Sequence, residues 1–309
     1  MYRFFHNYER IVILSDIKLT ESPRKNRYNI IINKEAVKYK KGSFIMVDFA
    51  INIEPLYPGA DICEKIRKVS AAGFHGVEFW SWDDRDLNRI KKTCEECGTK
   101  VKAFSATKEW SLCDREHRAE YVDWIGKSIE AAKQLDCDTL ILFPNHFTPE
   151  GCADFRDRYS REAMTANIVH NLETIAPMLE KAGITALLEP LCNAGADVGM
   201  SVTDTAAGAD IVRAVDFDHI RLLCDVFHMQ IMHGNLLSNI VENMDIVPYL
   251  HLADAPDRHE PGTGEINFDY LCRELKKRGY EGTVCFEYFP KKETEEGFGA
   301  LKKIIELFQ

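Results

Sequence analysis

From residue 46 onward the chain alternates short apolar runs with amphipathic stretches, and it does so eight times. Val47–Ile53 reads as a strand and Asp61–Ala72 as a helix closed by Gly73. Gly76–Phe79 is the second strand, followed by a helix over about Asp86–Cys97 with Gly98 as its stop. Val101–Ser105 and Thr139–Phe143 are strands, each followed by a long helix, Arg115–Leu135 and Arg161–Lys181, the latter stopped by Gly183. Ile184–Leu188 leads to a helix over Thr203–Val215, with Thr203 as its expected N-cap. Ile220–Cys224 leads to a short helix around Leu236–Asn243, and Val247–Leu252 to a helix over Phe268–Arg278 stopped by Gly279. Thr283–Phe286 and a helix over Glu295–Leu307 end the series.

Strict alternation of strand and helix means a parallel sheet. Eight units over about 264 residues fit a closed (β/α)8 TIM barrel. An open doubly wound sheet is the runner-up, but the chain contains neither G-x-G-x-x-G nor G-x-x-x-x-G-K-[ST].

Residues 1–45 stand apart from this pattern. They hold ten Lys and Arg against four Asp and Glu, a net of +6, and none of the ten cysteines. With −10 on the whole chain, residues 46–309 carry −16. The runs IVIL and YNIIIN can form short strands, without a sustained period. Lys41-Gly42-Ser43 can be encoded by a purine-rich stretch where a bacterial ribosome-binding site would precede a start at Met46. The expected division is an N-terminal extension over 1–45, disordered or not translated, and a catalytic barrel over 46–309.

Composition excludes several classes of function. No run of about 18 apolar residues is present, so a membrane span is not expected. The acidic balance repels phosphate backbones, which removes nucleic acid as the expected main partner. Ten scattered cysteines without a framework spacing read as reduced thiols, pointing to the cytoplasm.

In a barrel the C-terminal ends of the strands face the active site. Five such ends carry an ionisable group: Glu78, Glu189, Asp225, His251 and Glu287. The last four are spaced by 36, 26 and 36 residues, each about one strand-helix unit. Four successive strands would thus aim three carboxylates and an imidazole at one point. Unpartnered carboxylates are costly to bury together, and a divalent cation removes that cost. The oxygen-rich set suits manganese, magnesium or cobalt.

The loop after the seventh strand, Ala255–Ile266, is polar and punctuated by glycine and proline, so it is a shaped loop. Arg258 in it is a natural clamp for a carboxylate or a polarised oxygen, or else a surface cation paired with Glu260 or Glu265. His228, three residues past Asp225, can donate to a substrate oxygen or be a satisfied structural histidine. His146, past the fourth strand, can touch substrate. Trp80 and Trp82 can wall a pocket or cover the core. The lone pair Cys94 and Cys97 is a poor zinc candidate without a second pair.

Taken together, Glu189-Pro190, Asp225-Val226-Phe227-His228, His251-Leu252-Ala253-Asp254, the string Arg258-His259-Glu260-Pro261-Gly262-Thr263-Gly264-Glu265-Ile266 and Glu287-Tyr288 resemble the sugar isomerase/epimerase superfamily with a xylose isomerase-like TIM barrel. The resemblance covers roughly residues 46–309, and the loop string is most like the hydroxypyruvate isomerase branch. It implies that Glu189, Asp225, His251 and Glu287 hold one divalent metal, with Glu189 and Glu287 doubling as the acid/base pair. It implies that His228 and Arg258 bind substrate oxygens and that Glu78 lines the pocket. Histidine at position 251 is the ketose 3-epimerase pattern, where the hydroxypyruvate isomerase branch usually has glutamine.

The expected activity is therefore metal-dependent isomerisation of a small hydroxy-carbonyl compound through an enediolate. A ketose 3-epimerase, or a keto-sugar or keto-inositol dehydratase, uses the same intermediate and remains an alternative. An abasic-DNA endonuclease would need more metal ligands and a basic groove. A non-catalytic sugar-binding barrel would show no metal dependence. Related barrels also suggest a homo-oligomer by analogy.

Overall fold

The computed structural model describes residues 47–309 apart from 150–152, 156 and 194–198; ahead of residue 47 it describes residues 19–20 and 29–30. The chain divides into two compact units, Met1–Ile45 and Met46–Gln309. In the first, Leu19–Thr20 and Asn29–Ile30 pair as two short antiparallel strands. The second of these falls within the YNIIIN run; IVIL and Met46 lie outside the described residues.

The second unit is a closed barrel of eight parallel strands: β1 (Asp48–Asn52), β2 (Gly76–Phe79), β3 (Lys100–Ser105), β4 (Thr139–Leu142), β5 (Thr185–Leu188), β6 (Ile220–Asp225), β7 (Tyr249–Leu252) and β8 (Thr283–Phe286). Each strand pairs with its neighbour in sequence, and β8 pairs with β1 to close the ring. The helices are α1 (Ile62–Ala71), α2 (Leu87–Cys97), α3 (Arg118–Gln134), α4 (Arg161–Ala182), α5 (Thr205–Val215), α6 (Val226–Met232), α7 (Leu236–Val241), α8 (Phe268–Lys277) and α9 (Thr294–Phe308). The fold is thus a (β/α)8 TIM barrel. Among the described residues no helix is long and apolar enough to cross a membrane.

Helix ends follow local chemistry. Gly98 and Gly183 take the left-handed conformation and close α2 and α4, as their positions predict. Two expectations are corrected. The cap of α5 is Asp204, whose carboxylate accepts from the Ala207 amide, so the helix starts two residues after Thr203. α3 begins at Arg118 rather than Arg115, after a turn in which the Asp114 carboxylate takes the Glu116 amide. The helix α6 has no counterpart in the sequence reading. β6 runs straight into it, because Asp225 ends the strand and caps the helix with the same side chain.

Two apolar layers hold the barrel. The outer one lies between strands and helices and is continuous around the molecule. The inner one comprises Ala50, Ala103, Ile141, Leu187, Leu223, Tyr249 and Cys285, one from each of seven strands. On β2 the equivalent place is Gly76, where a Cβ would lie 2.3 Å from the Phe49 carbonyl oxygen. Side chains alternate along a strand, so the residue two further on points to the same interior, one layer up. On β1, β2 and β5–β8 those residues are Asn52, Glu78, Glu189, Asp225, His251 and Glu287. The apolar layer is the floor of the site.

Candidate active site

The register of the strands sets the heights of the side chains. Asp225 pairs with His251, and His251 with Cys285, across β6, β7 and β8. Glu189 and Glu287 each stand just past a strand end, their amides still bonded to Leu142 and Leu252 carbonyls. As a result Glu189, Asp225, His251 and Glu287 each offer a ligand atom within 4.8 Å of one another, and all four are buried. The structure brings together the four residues that spacing singled out.

His251 is oriented from behind. Its Nε2 lies 3.1 Å from Glu78 Oε2, and that carboxylate also takes the Tyr249 hydroxyl at 2.9 Å and the Asn52 amide at 2.8 Å. Its other nitrogen, Nδ1, faces the acids: 2.9 Å from Glu287 Oε2, 3.4 Å from Glu189 Oε1 and 3.9 Å from Asp225 Oδ2. Nδ1 is buried and makes no well-aligned hydrogen bond. A buried ring nitrogen without a hydrogen-bond partner in the midst of three carboxylates is what a metal-facing histidine presents, with its second nitrogen held by a carboxylate. The residues present therefore fit a divalent cation bound by three carboxylates and one imidazole.

The carboxylates differ in environment. Burial pushes Glu189 up to about 7, with the nearby Glu287 and Asp225 charges adding to the rise and His251 opposing it. Burial also raises Asp225, against the pull of Arg258 and His251. Glu287 goes the other way. Burial opposes ionisation there as well, but the Arg258 guanidinium and the His251 ring outweigh it and hold the carboxyl well below the usual range. Glu287 Oε1 additionally accepts from Trp80 Nε1 at 2.7 Å and Asn52 Nδ2 at 3.2 Å.

Arg258 is not a surface cation. Its Nη2 reaches Asp225 Oδ2 at 2.9 Å and Glu287 Oε2 at 2.6 Å, while its guanidinium carbon stands 5.2 Å from the centre of the Phe227 ring. The pairing with Glu260 or Glu265 is thereby corrected; Glu260 instead accepts from the Lys291 amide. The loop carrying Arg258 is organised by Asp254. Its carboxylate takes four backbone amides: Ala255 and Ile266 on Oδ1, Gly262 and Gly264 on Oδ2, at 2.8–3.0 Å. At Gly264 a Cβ would lie 1.9 Å from the Ala255 carbonyl oxygen, so only glycine fits.

His228 is buried beside Asp225, with Nε2 3.6 Å from Oδ2. Its Nδ1 accepts from the Cys192 amide, which places the ring proton on Nε2; burial, then Arg258, lower its basicity well below the ordinary value. Glu78 is 1% exposed and faces the Nε2 side of His251. Among the described residues His146 makes no hydrogen bond or ion pair with the cluster; its amide donates to Ser111, and burial lowers its ring. The two tryptophans part company. Trp82 stacks on Trp124 and donates to Ser128, so it covers the core. Trp80 reaches the site. Cys94 and Cys97 join no group of three ligating residues among the described residues.

Sequence reasoning missed Asn52, the role of Tyr249 and the four-amide grip of Asp254. Asn52 had a signal: it is the one amide in the apolar run Phe49–Ile53, at the inward phase of the strand.

A barrel with this acid cluster at the C-terminal ends of β5–β8 defines a class of proteins, and comparison places the chain in it. Residues 66–304 match the family described as xylose isomerase-like TIM barrel, and the chain belongs to that family. A hydroxypyruvate isomerase of Escherichia coli K12 is 30% identical over 259 residues, covering 82% of this chain and 97% of its own length. A 2-oxo-tetronate isomerase of Pectobacterium atrosepticum is 26% identical over 262 residues, covering 82% and 96%. Among solved structures, an AP endonuclease of family 2 from Brucella melitensis superposes with a TM-score of 0.76 at 27% identity, covering 84% and 99%. The chain is an enzyme of the isomerase and epimerase class.

Proposed function

We propose that this enzyme is a metal-dependent isomerase of a small hydroxy-carbonyl compound, of the hydroxypyruvate type, working through an enediolate. The observation that carries the reading is the convergence of three buried carboxylates on the unbonded Nδ1 of His251. Glu189, Asp225, His251 and Glu287 would hold one divalent ion, manganese, magnesium or cobalt. When bound, such an ion polarises the substrate's carbonyl and hydroxyl oxygens and offsets the negative charge of an enediolate.

The chain's own residues do the rest. Glu189 and Glu287 flank His251 and form the acid/base pair. One carboxylate takes the proton from the carbon beside the carbonyl, breaking the C–H bond as the enediolate forms. A carboxyl group then returns a proton to the former carbonyl carbon while the substrate's hydroxyl proton passes to the former carbonyl oxygen, which completes an aldose–ketose type isomerisation. Arg258 would bind an anionic or polarised oxygen of the substrate, and His228 would donate to one from Nε2. The apolar floor under the cluster excludes water from below.

Histidine at 251 supports a second reading, ketose 3-epimerisation, in which the proton returns to the same carbon on the opposite face. The experiment is metal analysis of the purified protein, then incubation with hydroxypyruvate and a ketose panel in deuterated water. One ion per chain, with deuterium incorporated next to a carbonyl, is the expected result, and the product separates isomerase from epimerase and dehydratase. No ion and no exchange after manganese or magnesium is added would overturn the reading in favour of a non-catalytic barrel.

A further inference from the structure

Trp80 follows β2 directly and is 40% exposed. An indole left in water at the edge of a polar site needs a reason, and the structure supplies two contacts. Its ring leans on Phe289, itself 46% exposed, with centroids 6.3 Å apart. Its Nε1 donates to Glu287 Oε1 at 2.7 Å.

The tryptophan backbone is held independently. Its amide donates to Glu54 Oε2 at 3.2 Å, and Arg85 Nη2 grips both oxygens of Glu54 at 2.9 Å. Arg85 in turn lies 5.4 Å over the Phe79 ring. The indole N–H is therefore a donor at a preset place, where a free side chain would search for one.

The consequence falls on Glu287. The last torsion of a glutamate is broad and nearly two-fold, so the two oxygens exchange roles unless something distinguishes them. Here Oε1 takes the indole and the Asn52 amide, and Oε2 is left facing Arg258 Nη2 and His251 Nδ1. We propose that Trp80 is a positioning residue for Glu287: its indole N–H pins Oε1 and thereby holds Oε2 toward His251, while its ring and that of Phe289 form an apolar wall beside the carboxylate. This rests on the reading of Glu287 as a metal ligand and acid/base group.

The test compares the full-length wild type with Trp80→Phe and Trp82→Phe. W80F keeps an aromatic ring and removes the donor. W82F removes an indole whose N–H serves only the core contact with Ser128. Three quantities are read: Mn2+ affinity by calorimetry, kcat and KM on the substrate identified by deuterium exchange, and the thermal midpoint. W80F is expected to weaken Mn2+ binding about tenfold and to lower kcat about tenfold or more, with KM within about twofold and the midpoint of the chelator-treated protein unchanged. W82F is expected to lower the midpoint and leave Mn2+ affinity in place. A measurement on the wild type needs no variant: paramagnetic Mn2+ should quench tryptophan emission where Mg2+ does not, because Trp80 adjoins a ligand. W80F with wild-type Mn2+ affinity and kcat, a loss that merely follows a fallen midpoint, or bound Mn2+ without quenching, each overturns the positioning role and leaves the enediolate reading standing. A wild type that binds no metal and exchanges no deuterium overturns that reading, and this proposal with it.

Discussion

Each carboxylate in the site is characterised by the donors it has secured. Glu78 has three, from Asn52, Tyr249 and His251. Glu287 has the indole, the asparagine amide and the guanidinium. Among the described residues Glu189 meets little beyond His251, and burial accordingly lifts it to about 7. The sign of the consequence follows. A carboxyl whose folded value lies above its unfolded value of 4.5 binds its proton more tightly when folded, so its contribution to stability is lost as pH rises between the two. In chelator-treated protein, Glu189→Gln should therefore gain stability relative to wild type as pH rises from about 5 to 8, read from urea unfolding at both values. A constant difference would disprove the assignment. With metal present, Glu189→Gln and Glu287→Gln should each abolish turnover while leaving the circular dichroism spectrum intact; near-normal kcat in both would remove them from the chemistry.

At the level of elements, the strands were the legible part. Residues Glu189, Asp225, His251 and Glu287 could be found because apolar runs end abruptly in an ionisable group, and because their gaps of 36, 26 and 36 residues are each about one strand-helix unit. α6 could not, since seven residues accumulate little helical period and its cap is a residue already assigned to the strand. Nor could the direction of Arg258 be read. Its partners Asp225 and Glu287 are 33 and 29 residues away, whereas the acids near it in sequence point elsewhere. What aims Arg258 is the loop, and what shapes the loop is Asp254. Replacing Asp254 by Ala leaves four amides of that loop without their acceptor and should cost on the order of 3 kcal/mol in urea unfolding. Gly264→Ala should act in the same direction through its clash with the Ala255 carbonyl. Either variant should also lower kcat/KM, because the guanidinium leaves its place; unchanged stability in both would mean the loop is held by something other than Asp254.

For the whole molecule, the barrel of Met46–Gln309 contains every residue invoked in the chemistry. A chain beginning at Met46 should then match the full-length protein in thermal midpoint and kcat/KM; a large loss in either would assign residues 1–45 a part in the fold or the reaction. Metal should raise the midpoint of both chains by mass action, about 2.7 kcal/mol of stabilisation at a hundredfold excess over Kd, and chelation should reverse it.

The closure of the ring between β8 and β1 has a temporal side. Glu287 receives its donors from Asn52 and Trp80, 235 and 207 residues earlier in the chain. A ribosome that has delivered seven of the eight strands has released the waiting amide and indole but not the acid they hold. Partial products of translation therefore lack Glu287, and its contacts with Asn52 and Trp80 form once the final strand has docked against the first.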